Sequence, residues 1–168
     1  MSLTALTVFL ASGLAGGAEA LAMRAEGWTP VSVAALAGSP DDGVRRADPN
    51  GYLKAEGDFD GDGREDSARL MQSGDELRYG LVVELSSRCR APMLLADGPR
   101  SDHPRIGVDE VPRGEYVTAC SRGHGRASDC TIRSLRVEHV GIELFTFEAS
   151  TTYFAWNGRE FVEAAISD

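Results

Sequence analysis

The sequence predicts a mainly β fold, an antiparallel sandwich or small barrel with a short N-terminal helix. Three observations carry this reading. From about residue 52 onward, short runs rich in β-branched and aromatic residues recur roughly every ten residues. Turn formers stand between many of them: Ser73-Gly74-Asp75, Gly98-Pro99, Pro112-Arg113-Gly114, Gly141 and Asn157-Gly158. The chain has 168 residues, 42% of them hydrophobic, which suits one packed domain. That is too short for a multi-bladed propeller and too apolar for a disordered tail.

Residues 1–22 read as a secretory signal. Leu3 to Leu14 is an apolar run broken by Thr4, Thr7, Ser12 and Gly13, and Ala18-Glu19-Ala20-Leu21-Ala22 offers cleavage after Ala20 or Ala22. The basic residues that normally precede such a run are missing, and a buried N-terminal helix is the competing reading. The run is shorter than the roughly 20 residues that span a bilayer, so a membrane-spanning anchor is not expected. Residues 23–168 are then a single β-rich domain, exported to the periplasm or secreted.

Within it, Thr29-Pro30 followed by Val31 to Ala37 and Gly38 predicts a short helix, capped by Thr, begun by Pro and stopped by Gly, although Val31 and Val33 suit a strand equally. Residues 39–51 are rich in Asp, Arg, Pro and Gly and read as an exposed connection. Strands are expected at 52–59, 66–71, 77–85, 91–96, 105–111, 116–120, 132–137, 142–148, 152–156 and 161–166. Phe145 and Phe147 alternate with Ile142, Leu144 and Thr146, the pattern of a strand covered on both faces. Asn157-Gly158 predicts a two-residue type I′ hairpin.

Cysteine usage fits export. Cys120 and Cys130 enclose a loop of turn formers with little to pack, and a disulfide between them would stabilise the fold by roughly 2 to 3 kcal/mol on the chain-entropy argument. Cys89, between Arg88 and Arg90, is left over as an inert buried thiol or the link of a dimer; a monomer is the expected state. A zinc site on Cys120, His124 and Cys130 matches no standard ligand spacing. Arg122, His124 and Arg126 make the enclosed loop a cationic finger suited to an acidic protein or another acidic envelope ligand. With 26 acidic and 17 basic residues, a net charge of -9, the chain is no nucleic-acid binder.

The segment that carries chemistry is Asp58-Phe59-Asp60-Gly61-Asp62-Gly63-Arg64-Glu65-Asp66. Carboxylates at alternate positions of a tight loop repel one another unless a cation compensates. Ca²⁺ takes six to eight oxygen ligands, and the loop can offer the Asp58, Asp60, Asp62 and Asp66 side chains, the Arg64 carbonyl and water. Gly61 and Gly63 permit the positive φ that such a curl demands, and Phe59 is free to anchor the loop in the core. An EF-hand is excluded, because the twelfth position is Arg69 where a bidentate Glu is needed, and both flanks read as strands.

This Asp-x-Asp-Gly-Asp-Gly-x-x-Asp string between two strands resembles the calcium hairpin of FG-GAP and VCBS-type repeats. The resemblance spans residues 52–72 and implies calcium on Asp58, Asp60, Asp62, the Arg64 carbonyl and Asp66. Those repeats come in arrays, whereas the loop occurs here once. More broadly, the chain resembles small exported bacterial proteins that join one such hairpin to a Tyr116-Val117-Thr118-Ala119-Cys120 segment and an aromatic C-terminal hairpin, a likeness that implies no activity.

A loop whose ligands all come from nine residues saturates the ion with its own oxygens, so the calcium is expected to be structural. No nucleophile motif, zinc-protease helix or phosphate loop occurs, and Ser101, Asp102 and His103 are adjacent, which does not build a triad. His103, His124 and His139 read as solvated residues. The function expected is therefore a binding or interaction module of the cell envelope, and the alternative is an envelope hydrolase that works through Asp and Glu carboxylates.

Overall fold

A computed structural model describes residues 27–86, 91–123 and 131–167. The fold is mainly β, with antiparallel sheets, as the patterning predicts. The first sheet holds β1 (Thr29–Pro30), β2 (Lys54–Gly57), β3 (Asp66–Gln72), β4 (Arg78–Glu84) and β5 (Met93–Pro99). Its path runs β1-β3-β4-β5, and β2 pairs with the other end of β3. The second sheet runs β11 (Phe161–Ser167), β10 (Thr151–Trp156), β9 (Gly141–Thr146) and β6 (Ile106–Val111). A two-stranded ribbon, β7 (Gly114–Val117) and β8 (Ser134–Val137), completes the set.

Alternation decides which face each residue buries. In β3, Ala68 and Leu70 are buried in the main core, while Ser67 and Arg69 point the other way and stay partly exposed. In β10, Phe154 and Trp156 enter the same core, and Tyr153 and Ala155 belong to a second cluster with Val111, Leu135, Val137 and Ala164. The second sheet is thus covered on both faces, by the first sheet on one side and by the β7–β8 ribbon on the other. Along one side the two large sheets are joined by a parallel bridge between Leu53 and Val108, with the Val108 amide donating to the Tyr52 carbonyl at 2.8 Å.

Several local expectations need correction. Thr29 and Pro30 do not open a helix; they pair with Gln72 and Met71 of β3. The helical segment is a 3-10 turn, Val33–Leu36, whose N-cap is Ser32, its hydroxyl accepting from the Ala35 amide at 3.2 Å. Thr29 and Pro30 went to the sheet because the edge of β3 beyond β2 was open to a partner, while Val33 begins the 3-10 turn. The connection over 39–51 contains one helical turn, α1 (Asp42–Arg45), and Arg45 is fully buried. The C-terminal hairpin forms, but Trp156 pairs with Phe161 across a four-residue loop. Only Gly158 has positive φ there, because the Asn157 side chain accepts from the Arg159 and Glu160 amides and closes the turn without a left-handed Asn. The predicted strand end at 118–120 is a 3-10 turn, Ala119–Arg122. No described helix is long and apolar enough to cross a membrane.

Candidate metal centre

The loop Asp58 to Glu65 connects β2 to β3, whose ends meet where Gly57 pairs with Asp66. Phe59 is completely buried in the main core and fixes the loop at its second residue. Gly61 and Gly63 have φ of +79° and +82°, the left-handed conformation in which a β-carbon is strained. Carboxylates take up the loop's amides. Asp58 accepts from the Asp62 and Gly63 amides, each at 2.9 Å, and Asp62 accepts from the Arg64 amide at 2.9 Å. Asp66 accepts from the Phe59 amide at 3.0 Å and, with its other oxygen, from the Ser86 amide at 2.8 Å. It is 2% exposed, so this carboxylate ties the loop to the exit of β4 from inside the protein.

The consequence is convergence. Asp58, Asp60 and Asp66 each place a carboxylate oxygen within 4.8 Å of the others. Asp60 is 9% exposed, so the group is partly shielded from water. A carboxylate oxygen carries two lone pairs, so an amide bond to Asp58 or Asp66 leaves that oxygen able to bind a cation as well. Hard oxygens at this spacing suit Ca²⁺. Three of the five residues read from the sequence are therefore brought together. Asp62 lies on the exposed rim with its carboxylate on the Arg64 amide, and Arg64 is exposed beside it.

The loop also joins the two sheets. The Asp58 carbonyl accepts from the Val140 amide at 3.4 Å, Gly57 packs on the Val140 side chain, and the His139 ring lies against Gly61. His139 is exposed as expected, but it has a specific seat. Next to the loop, Glu56, Glu65, Asp66 and Glu84 line an open groove of about 380 Å³, which gives a cation an acidic approach.

Other residues singled out in the sequence lie elsewhere. Arg122 is exposed at the end of its 3-10 turn and donates to the Val117 carbonyl at 3.1 Å. Cys120 is the second residue of the same turn, whereas its expected partner Cys130, the finger residues His124 and Arg126, the leftover Cys89 and the leader 1–22 all lie outside the described residues. His103 is not solvated, contrary to expectation. It is 4% exposed, with Nε2 buried and lacking a hydrogen-bond partner. Burial first, then the positive charges of Arg45 and Arg100, push its pKa below the ordinary value.

Arg45, which sequence reasoning missed, is the companion of His103. Its guanidinium donates to the carbonyls of Gly51 at 2.9 Å, Pro104 at 3.0 Å and Ile106 at 2.5 Å, and lies 4.9 Å above the Phe147 ring. A buried arginine held by carbonyls has no signature in an Asp- and Arg-rich segment that looks like surface. The other feature without a sequence signal is a carboxylate pair: Asp109 of β6 lies directly opposite Glu143 of β9, which in turn pairs with Tyr153 of β10. Burial, and then the Asp109 charge, raises the Glu143 pKa. Compared with family models, curated proteins and solved structures, the chain matches none, so its functional reading rests on this geometry.

Proposed function

We propose that this chain is an exported β domain that holds one structural Ca²⁺ in the Asp58–Asp66 loop and serves as a binding or interaction module of the cell envelope. The observation that carries the calcium reading is the approach of the Asp58, Asp60 and Asp66 carboxylates to within 4.8 Å, partly shielded from water, on a loop curled by two left-handed glycines. Asp62 and the Arg64 carbonyl, on the rim, complete the ligand set with small rotations. The ion offsets the repulsion of the carboxylates and locks the junction of β2, β3 and the β8–β9 connection.

Export is supported by the apolar leader, by the Cys120 and Cys130 spacing, and by a loop type whose usual affinity, on the order of 10⁻⁴ to 10⁻³ M in extracellular modules, fits calcium levels outside the cytosol. The interaction role rests on the exposed Arg122 at the base of a loop that a Cys120–Cys130 disulfide would pin, facing an acidic partner. Calcium titration followed by thermal melting tests the core of this reading. The melting temperature should rise with Ca²⁺, fall back with EDTA, and cease to respond in Asp60→Ala; an EDTA-insensitive wild type removes the proposal.

One observation favours a second reading, an envelope hydrolase. Asp109 and Glu143 form a carboxylate pair of which one member is held toward its protonated form, as a general acid needs. Hydrolysis of chromogenic glycosides by the wild type but not by Glu143→Gln would support it, and equal turnover by both would remove it.

A further inference from the structure

A notch lies between β1 and β2. Both strands lie end to end along one edge of β3: Thr29 and Pro30 face Gln72 and Met71, and Lys54 to Gly57 face Arg69 to Asp66. At the junction, the Val31 amide donates to the Leu70 carbonyl at 3.1 Å and the Leu70 amide to the Leu53 carbonyl at 2.9 Å. Two abutting strand ends cannot fill the edge as one continuous strand would, and they leave a notch of about 300 Å³. Val31 and Val33 supply its apolar surface, the core residues Leu53 and Leu70 lie behind them, and Asn50, Lys54 and Arg69 supply the polar lining.

Charge in the notch is unbalanced. Lys54 and Arg69 are cross-strand partners, an arrangement of like charges that destabilises a sheet. Lys54 is neutralised by its ion pair with Glu56. Among the described residues no carboxylate pairs with Arg69, and its Nε atom is buried without a hydrogen-bond partner. On a chain of net charge -9, an arginine left without a counter-charge in a lined recess is the reverse of what composition favours.

We propose that this notch binds a small monocarboxylate with a short apolar body, its carboxylate on Arg69. The guanidinium fork matches a carboxylate in two-point geometry. One excess positive charge suits a monoanion better than a phosphate dianion, and the Val31 and Val33 surface suits a short apolar body better than a bare inorganic ion. The volume stands at the small end of ligand pockets, which limits the body to a few carbons. The site is separate from the calcium loop, so it stands or falls independently of that reading.

Amide NMR titrations of the calcium-saturated chain with hexanoate, hexanol and inorganic phosphate at constant ionic strength test it. Hexanoate should give saturable shifts clustered at Ser32, Asn50, Lys54 and Arg69. Hexanol and phosphate should bind at least about ten-fold more weakly, the loss expected when a charge-assisted contact or the apolar body is removed. Arg69→Gln should weaken hexanoate by a similar factor, and Arg69→Lys should recover part of it. Equal binding of hexanol, equal binding of phosphate, shifts away from the notch, or an unchanged Arg69→Gln would each overturn the proposal. If Arg69→Gln does not fold, the ligand comparison on wild type and Arg69→Lys decides.

Discussion

The His139 imidazole lies on the α-carbon of Gly61, so that a β-carbon at position 61 would overlap the ring. Gly61 therefore serves two needs, a φ of +79° and a close approach by the β8–β9 connection. Gly63, with φ of +82°, meets nothing within 4 Å, so only its backbone conformation matters. Gly63→Ala should cost about 1 kcal/mol from left-handed strain alone. Gly61→Ala should cost more and also weaken calcium binding, because the ring must leave its seat. In a His139→Ala background the two glycine substitutions should become equal. Urea unfolding of the four variants measures this, and an unchanged difference would show that the contact is incidental.

Asp60 and Asp66 should separate metal binding from folding. Asp66 accepts two amides, from Phe59 and Ser86. In Asp66→Ala both lose their partner, at roughly 1 to 3 kcal/mol for the buried Phe59 amide and less for the Ser86 amide, which water can reach, whether or not calcium is present. Asp60→Asn instead removes one of three converging carboxylates. Without calcium it should leave stability unchanged or raise it, since repulsion falls, and with calcium it should lose most of the metal-induced rise in melting temperature. Melting curves in EDTA and in excess Ca²⁺ give all four values.

The buried Arg45 guanidinium beside the buried His103 imidazole should make stability depend on pH. The folded-state pKa of His103 lies below its unfolded value, so the native state disfavours the proton. Its contribution is fully present above about pH 6.5, the ordinary histidine value, and is lost as pH falls through the lowered folded value. The wild type should thus lose stability as pH falls below about 6.5, and His103→Phe should flatten that slope. Arg45→Met should be destabilising at every pH, by roughly 3 kcal/mol, because it strands the carbonyls of Gly51, Pro104 and Ile106. Denaturant midpoints across this pH range, at fixed calcium, test both.

The legible part of this fold was whatever depended on neighbours in sequence. All ten expected strands occupy places close to those read from β-branched runs and turn formers, and Phe59 and the two loop glycines behave as local chemistry requires. What could not be read depends on distant partners. Thr29-Pro30 looks like a helix start until β3 offers it an edge. Arg45 looks like surface until the carbonyls of Gly51, of Pro104 in the 3-10 turn Arg100–Arg105, and of Ile106 in β6 surround it. The Asp58–Asp60–Asp66 group was legible because its three members lie on one short loop; the Ser86 amide and the His139 ring that complete its surroundings were not, since 20 residues separate Asp66 from Ser86 and His139 comes from the opposite sheet's entrance.

Glu143 supplies the opposite pH dependence to His103. Its carboxyl is raised by burial first and by Asp109 second, so the folded state holds the proton more tightly than the unfolded chain does. Stability from this group is full below the ordinary glutamate value of about 4.3 and is lost as pH rises through the raised folded value. At neutral pH Glu143 therefore opposes folding, and Glu143→Gln should stabilise the domain by up to about 1 kcal/mol, a discount for its partial exposure included. The gain should shrink as pH falls, and Asp109→Asn should give a smaller gain of the same sign. Comparing wild type with each variant at matched pH cancels the contributions of the groups the two share. A Glu143→Gln variant less stable than wild type at pH 8 would mean that its ionised carboxylate is favourably placed, and would remove both this prediction and the general-acid role on which the hydrolase reading depends.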